Sequence, residues 1–480
     1  MEWRSNRARS MWWVGAAGLA LAIGYAVPAD TYMAALGGSV VLVAALLFFA
    51  ALVRAPAAGP MLLLIVAVLM PMEVSVGSTT IGACVPLTIA LCGASLLRRA
   101  LSSKPIGVDI SPVAVAVVVF MGVAVLAFVA GQYPWFTAAP APLEAQLGGL
   151  ALFLMSGGLF IVVGYDIRSL VHLERLTWLF VGAGGCAVVL GMLPAPVSSY
   201  IDLVLKSDSL GSIFWTWFVA VGVSQGLCNR QLSTMKRAGL LAISGLALAR
   251  GLLLAFSWAS GWLPPLVALG TIVLFRFPRL TTTASALAIA PALFLRGPLM
   301  SHVMAGENYS LMTRTQAFRV LWEVIQRDPW IGFGPANYYH YTLLYPILGW
   351  YVRFSSHNNY LDLIAQTGVV GLLAFIWFVF EVIRLTARLL RRRPAGFAQA
   401  YLVGVLGGLA GSLVSGLLAD WIIPFVYNIG LRGFRSSLLL WLFLGGVLAL
   451  RNMTMSAVST SAAVAGPGVA ASLRPSGAWT

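Results

Sequence analysis

Charge is scarce in this chain: 9% of its 480 residues are Asp, Glu, Lys or Arg, against 60% hydrophobic, with a mean hydropathy of +0.91. So few polar groups cannot cover a water-facing surface and also furnish a soluble active site. Cysteine is equally sparse. Cys84, Cys92, Cys186 and Cys228 lie in or at the ends of apolar runs without metal-ligand spacing, which points to small core residues rather than a disulfide framework or a thiolate metal site. No basic stripe with interleaved aromatics lies in a polar segment, so the net charge of +15 does not mark a nucleic-acid partner. Internal repeats are also missing.

What is abundant is long apolar runs. A bilayer core of ~30 Å takes about 20 helical residues to cross, and about fourteen such stretches can be read. They centre near Gly18, Val43, Val66, Ile89, Val119, Phe153, Gly184, Phe218, Ala247, Leu269, Ala290, Phe375, Leu409 and Leu444. The expected fold is therefore all-α, a polytopic membrane protein with about 12 to 14 transmembrane helices. The first run follows Arg4, Arg7 and Arg9 but lacks a small-residue cleavage site, and reads as a retained first helix.

Basic residues set the orientation, because short cytoplasmic loops accumulate Lys and Arg. With the N-terminus inside, Arg54, Arg98 with Arg99, Arg168 with Arg175, Arg230 with Lys236 and Arg237, Arg276 with Arg279, and the Arg388 to Arg393 cluster all fall in the cytoplasm. Exported turns carry Asp30, Glu73, Glu144, Asp202 and Asp208. The organisation that follows is transmembrane helices over 1–297, an exported loop over 298–360, further helices over 361–451, and a tail over 452–480. The tail is rich in Ala, Ser, Gly and Pro and is expected to be a disordered cytoplasmic segment. Both termini fall in the cytoplasm.

The long polar stretch 298–360 is where chemistry has room. From Tyr309 onwards Phe318, Leu321, Trp322 and Ile325 recur at helical spacing until Asp328-Pro329, which predicts a short helix lying on the membrane surface. At 100° per residue Arg314 lies within about 40° of Phe318 and Leu321, whereas Arg319 is turned by about 140° from Arg314. Arg319 can pair with Glu323 on a solvated face, while Arg314 on the apolar side calls for an anionic partner. Pro329-Trp330-Ile331-Gly332-Phe333-Gly334-Pro335 reads as a tight turn; no Lys follows and no strand precedes it, so it is not a nucleotide loop.

Tyr338, Tyr339, Tyr341, Tyr345, Trp350 and Tyr351 then crowd together, as an interfacial belt or a sugar-binding cleft would. His357 stands just before the next helix with Asn358 and Asn359 available as caps, and imidazole alone transfers protons near neutral pH without a shifted pKa. It is the leading candidate for a base acting on a hydroxyl, with His302 and His340 as competitors in the same loop. His172, in a cytoplasmic turn, carries no expected role.

Thr313-Arg314, Phe318-Arg319, Asp328-Pro329-Trp330-Ile331-Gly332-Phe333-Gly334, His357-Asn358-Asn359-Tyr360-Leu361 and Thr367-Gly368-Val369-Val370-Gly371 occur in that order. Together they resemble the signature region of the O-antigen ligase and O-antigen polymerase superfamily, polytopic glycosyltransferases of bacterial surface polysaccharide assembly. The resemblance implies a GT-C-like membrane fold in the bacterial inner membrane and a donor glycan carried on undecaprenyl diphosphate. It further implies inverting, metal-independent transfer, without a cofactor, to an acceptor on a lipid-linked repeat unit or on lipid A-core. A flippase and a chain-length regulator are the implied protein partners. By position Arg314 looks like the arginine that engages the donor diphosphate, and His357 like the residue that activates the acceptor.

One departure stands out. The family commonly places a second arginine in a Ser-Arg pair where this chain reads Ser257-Trp258. Arg250 lies eight residues earlier, about 12 Å deeper at helical rise, and either takes over that role or simply snorkels. Arg250, Arg319, Trp258, Tyr338 and Asn358 are thus the candidate substrate contacts beside His357 and Arg314. Two other classes remain open: a polysaccharide or lipid flippase, and a non-catalytic scaffold of the assembly complex. Glu73, Asp362 and Glu381 fall near predicted helix ends rather than at mid-bilayer, which counts against ion-coupled transport.

Overall fold

The computed structural model describes residues 31–70, 72–76, 79–102, 111–194, 196–199, 210–279 and 308–465; within these, the side chains of 31–42, 75, 76, 79, 254, 308–314 and 457–465 lie outside the description. Among the described residues the fold is all-helical apart from one small hairpin. In order come α1 (Thr31–Arg54), α2 (Ala58–Leu69), β1 (Glu73–Val76), β2 (Thr79–Gly82), α3 (Cys84–Leu101), α4 (Pro112–Ala130), α5 (Leu143–Asp166), α6 (Leu170–Leu190), α7 (Gly211–Cys228), α8 (Thr234–Leu254) and α9 (Ala259–Arg276). Then follow α10 (Asn308–Ile325), α11 (Tyr338–Tyr341), α12 (Asn359–Arg391), α13 (Gly396–Leu418) and α14 (Phe434–Ala465).

Among the described residues nine helices are long and apolar enough to cross a membrane, which makes this a polytopic membrane protein. The expected spans near Gly18 and Ala290 lie outside the described residues. The run around Val66 is shorter than expected. It forms the 12-residue α2, roughly 18 Å long at 1.5 Å per residue, too short for a full crossing. The buried Arg435 guanidinium donates to the carbonyls of Ala67 and Val68, satisfying the last turn of α2 where the chain leaves for the hairpin. α14 also outruns its expected end at Arg451, continuing to Ala465 through a stretch rich in Ala, the strongest helix former.

Helix α14 is enclosed by α5 and α7, α13 packs against α7 and α9, and α12 lies along α4. Lipid offers no hydrophobic drive between helices, so close packing must hold them together. The seam on α13 is made of glycines: Gly404 abuts Ser224, Gly408 abuts the ring of Trp217, and Gly411 abuts Thr216 and the carbonyl of Pro264. Trp217 stacks on Phe443 with centroids 5.0 Å apart, tying α7 to α14. At the opposite end from the long loop, Arg98 joins Asp166 in an ion pair and donates to the carbonyl of Leu52 at 2.7 Å, which gathers α1, α3 and α5.

The loop end is built on a break in α12. Gly368 has φ +66 and ψ −176, so residues 359–367 form a half-helix set off from the long span below it. Into the break docks the Pro329–Gly334 turn: Phe333 N and Gly334 N donate to the carbonyls of Ala365 and Gln366, and Val369 N and Val370 N donate to those of Pro329 and Trp330. The interdigitation demands glycine on both sides. A Cβ on Gly368 would stand 2.0 Å from the Trp330 carbonyl oxygen, and one on Gly332 2.6 Å from Gly368 N.

Helix α10 packs onto this assembly. Leu321 and Ile325 are buried as expected, together with Val320 and Val324, but Phe318 and Trp322 are 51% and 48% exposed. The reason is the neighbour: Phe333, Tyr338, Tyr341, Ala365 and Phe425 offer α10 a protein core, and that core takes the Val320–Val324 side of the helix.

Candidate functional site

Asn358 opens α12 as its cap, its side chain accepting from Tyr360 N at 3.0 Å and Leu361 N at 3.3 Å and donating to the Leu417 carbonyl at 3.2 Å. These bonds commit the amide to capping α12. Asn359, buried beside it, clamps the loop between α13 and α14: its Oδ1 accepts from Ile422 N and its Nδ2 donates to the Ile423 carbonyl, both at 2.7 Å. The loop 419–430 is thereby fixed against the start of α12.

His357 precedes the cap in a left-handed backbone conformation, φ +50, with its side chain exposed. Its Nδ1 stands 3.1 Å from Nδ2 of Asn428, and the same amide nitrogen donates to Oδ1 of Asp420. Asp420 is fully buried, and its Oδ2 accepts from Phe425 N at 2.6 Å. Burial raises its carboxyl above the usual carboxylate range; the amide hydrogens donated by Phe425, by Asn428 and by its own loop backbone counteract that shift. An exposed imidazole is thus tied through one amide to a buried acid.

A second buried acid lies next to this chain. Asp362 Oδ1 accepts from the Tyr338 hydroxyl and from Ser356 Oγ at 2.7 Å, while its buried Oδ2 has no hydrogen-bond partner among the described residues. Ser356 Oγ also accepts from Asn358 N at 2.9 Å, so the turn carrying His357 is laced to α12 from both sides. Tyr338, expected at the substrate, is instead fully buried, stacked on Phe425 with centroids 4.7 Å apart. Burial and the adjoining Asp362 hold its phenol well above the ordinary range, so it stays a donor to Asp362.

The tyrosine cluster as a whole divides by depth. Tyr338 and Tyr341 are core, Tyr339 stacks on Tyr427 at 4.4 Å, and Trp350 and Tyr351 stay exposed at 73% and 65%. His340 points into this packing, its Nε2 3.1 Å from the Tyr427 hydroxyl; burial lowers its pKa, with Arg353 adding to the effect. It is held as a neutral structural histidine. His302 lies outside the described residues, and His172 Nδ1 sits 2.7 Å from the hydroxyl of the helix-capping Ser169.

Of the arginines, Arg319 stands 3.9 Å from Glu323 on the open face of α10, with the pair 77% and 47% exposed. Arg314 falls on the same helix, but its side chain lies outside the described residues. Arg250 is half-buried with its guanidinium 5.0 Å from the centre of the Trp215 ring. A cation over an aromatic face is stabilised while its N–H edges stay available to an anion. Trp258 starts α9 and packs edge-on against Trp421 of the 419–430 loop, 6.2 Å between centroids. Trp421 in turn covers Gly211 on α7, one helical turn from Trp215.

Asp420 and Asn428 are the residues that sequence reading missed. They lie more than 60 residues beyond His357, and their only signal was being polar in the short loop between the last two spans. Among the described residues no three His, Cys, Asp or Glu side chains gather into a metal-ligating group.

These features define a class: a polytopic helical membrane protein that carries, at one end of its bundle, an exposed histidine tied to a buried carboxylate. Residues 231–376 match the family model described as O-antigen ligase, so this part of the chain is similar to that family. The match runs from α8 into the long span of α12 and takes in Arg250, Trp258, Arg314 and His357, while Asp420 and Asn428 fall beyond it. No curated protein matches the chain.

Proposed function

We propose that this protein transfers a glycan from an undecaprenyl diphosphate-linked donor to an acceptor hydroxyl at the periplasmic face of the inner membrane, in surface polysaccharide ligation or polymerisation. His357 takes the proton from the acceptor hydroxyl as its oxygen bonds to the anomeric carbon. The bond from that carbon to the diphosphate oxygen breaks with its electron pair, and lipid diphosphate leaves. Attack from the face opposite the leaving group inverts the anomeric centre, and the donor's own diphosphate supplies the leaving group without a metal.

The observation that supports this reading best is His357 itself: exposed inside the segment that matches the O-antigen ligase family model, yet oriented through Asn428 by a buried acid. Arg314 grips the diphosphate, where a bidentate guanidinium stabilises the charge that grows on it. Arg250, held over Trp215, is the second cation in place of the family arginine missing at Trp258. Arg319 is left to its pair with Glu323. The acceptor is a second lipid-linked repeat unit in a polymerase and lipid A-core in a ligase.

Protein reconstituted in lipid, given a lipid-diphosphate glycan and defined acceptors, is expected to release lipid diphosphate in step with product. His357→Ala is expected to slow release by about 10² to 10⁴-fold at unchanged protein level. Release that is unaffected by the substitution would remove the base assignment, and glycan moved across the bilayer without release would favour a flippase.

A further inference from the structure

An ionised carboxylate can only accept hydrogen bonds, so the atom that Asn428 turns towards Asp420 must be the amide nitrogen. That nitrogen has two hydrogens. One goes to Asp420 Oδ1, and the other points at His357 Nδ1, 3.1 Å away. A neutral ring whose Nδ1 accepts must carry its hydrogen on Nε2. A base needs the reverse arrangement, with the hydrogen on Nδ1 and a lone pair on Nε2.

We propose that Asn428 is a positioning residue that assigns the hydrogen on the His357 ring, and that Asp420 sets which way its amide faces. This rests on the reading of His357 as the base. With Asp420 ionised, Asn428 donates to both neighbours and His357 presents an N–H. When Asp420 takes up a proton from water, its carboxyl becomes a donor and the amide turns over. Asn428 Oδ1 then accepts from Asp420 on one side and from His357 Nδ1–H on the other, and Nε2 carries the lone pair that receives the acceptor's proton. The burial of Asp420 favours this exchange near neutral pH by making its charged form costly.

Asp362 from α12 and Tyr338 from the segment before it adjoin Asp420. Beside Asn428 is Tyr427, on which Arg353 and Glu144 of α5 act. Of these, Asp362 is the carboxyl that interacts electrostatically with Asp420.

The sign of the pH dependence follows. As pH rises, Asp420 loses its proton, the amide returns to donating, and the base form of His357 disappears. Wild-type transfer is expected to fall by about tenfold for each pH unit beyond that limb. Asp420→Asn removes the titration: its own Oδ1 can keep Phe425 N, and its Nδ2 can donate permanently to the turned Asn428. This variant is expected to lose the alkaline fall, whereas a merely structural carboxylate would leave the shape of the profile unchanged.

The direct test is nitrogen NMR of the full-length protein in lipid, labelled at its 4 histidines and assigned with His357→Gln. At alkaline pH the wild type is expected to show His357 with its hydrogen on Nε2, Asp420→Asn with it on Nδ1, and Asn428→Ala with neither form enforced. The same tautomer in wild type and Asp420→Asn would overturn the proposal. So would an Asn428→Ala spectrum identical to the wild type. Tautomers as expected, but no lipid diphosphate released at any pH, would support the assignment of Asn428 and refute the transferase reading instead.

Discussion

His357 and Asn359 are two positions apart and do opposite things, because the turn into α12 sends one side chain outwards and the other into the core. Asn359 holds the backbone of Ile422 and Ile423 with one donated and one accepted hydrogen bond, both sealed from water. Its replacement by Ala strands a buried N–H and a buried C=O, at about 1 to 3 kcal/mol each. Asn359→Ala is therefore expected to lower the thermal midpoint in detergent and to loosen the 419–430 loop, read as faster hydrogen exchange at Ile422. Unchanged exchange there would show that the loop is held by other contacts. The cap at Asn358 was legible from its place before an apolar run, since capping is local chemistry. Tyr338 was not, because nothing in its neighbourhood tells a tyrosine under Phe425 from one facing a sugar.

At the scale of elements, the half-helix of α12 and the Pro329–Gly334 turn form one device. The backbone bonds across the break at Gly368 need both chains bare of side chains at the crossing. Gly368→Ala meets a carbonyl oxygen and a left-handed φ at once, and is expected to destabilise the protein by upwards of about 2 kcal/mol. Gly270, in the middle of α9 with nothing within 4 Å of its added Cβ, is the matching control. Gly270→Ala is expected to leave the melting temperature unchanged or to raise it, since Ala favours helix. Equal effects at the two positions would mean that the break is not a tight joint. The motif Asp328 to Gly334 and its counterpart Thr367 to Gly371 were visible as separate strings, and their reciprocal hydrogen bonding emerged only in three dimensions. The stripe on α10 was misassigned for a related reason: Phe318 and Trp322 satisfy helical periodicity, yet the core that α10 meets lies on the side of Val320 and Val324.

For the molecule as a whole, the orientation proposed from the basic clusters can be checked with single cysteines. In a background carrying Cys186→Ser, which removes the exposed native thiol, Arg353→Cys is expected to react with a membrane-impermeant maleimide in intact cells with a permeabilised outer membrane. Arg392→Cys is expected to react only after the inner membrane is opened. The reverse pattern would place the His357 end in the cytoplasm and refute a periplasmic transferase.

The amino-acid sequence by itself determined the solvent of this protein and its helical class and marked out the candidate segment 298–360, because hydropathy over about 20 residues and charge at helix ends are properties of contiguous chain. Tertiary structure decided which polar groups meet. His357, Asn428 and Asp420 are joined through contacts between the end of one long loop and a short loop two helices later, and the burial that raises Asp420 comes from neighbours that no local pattern names. Proton positions depend on burial and on which atom faces which, and both exist only once the helices have packed.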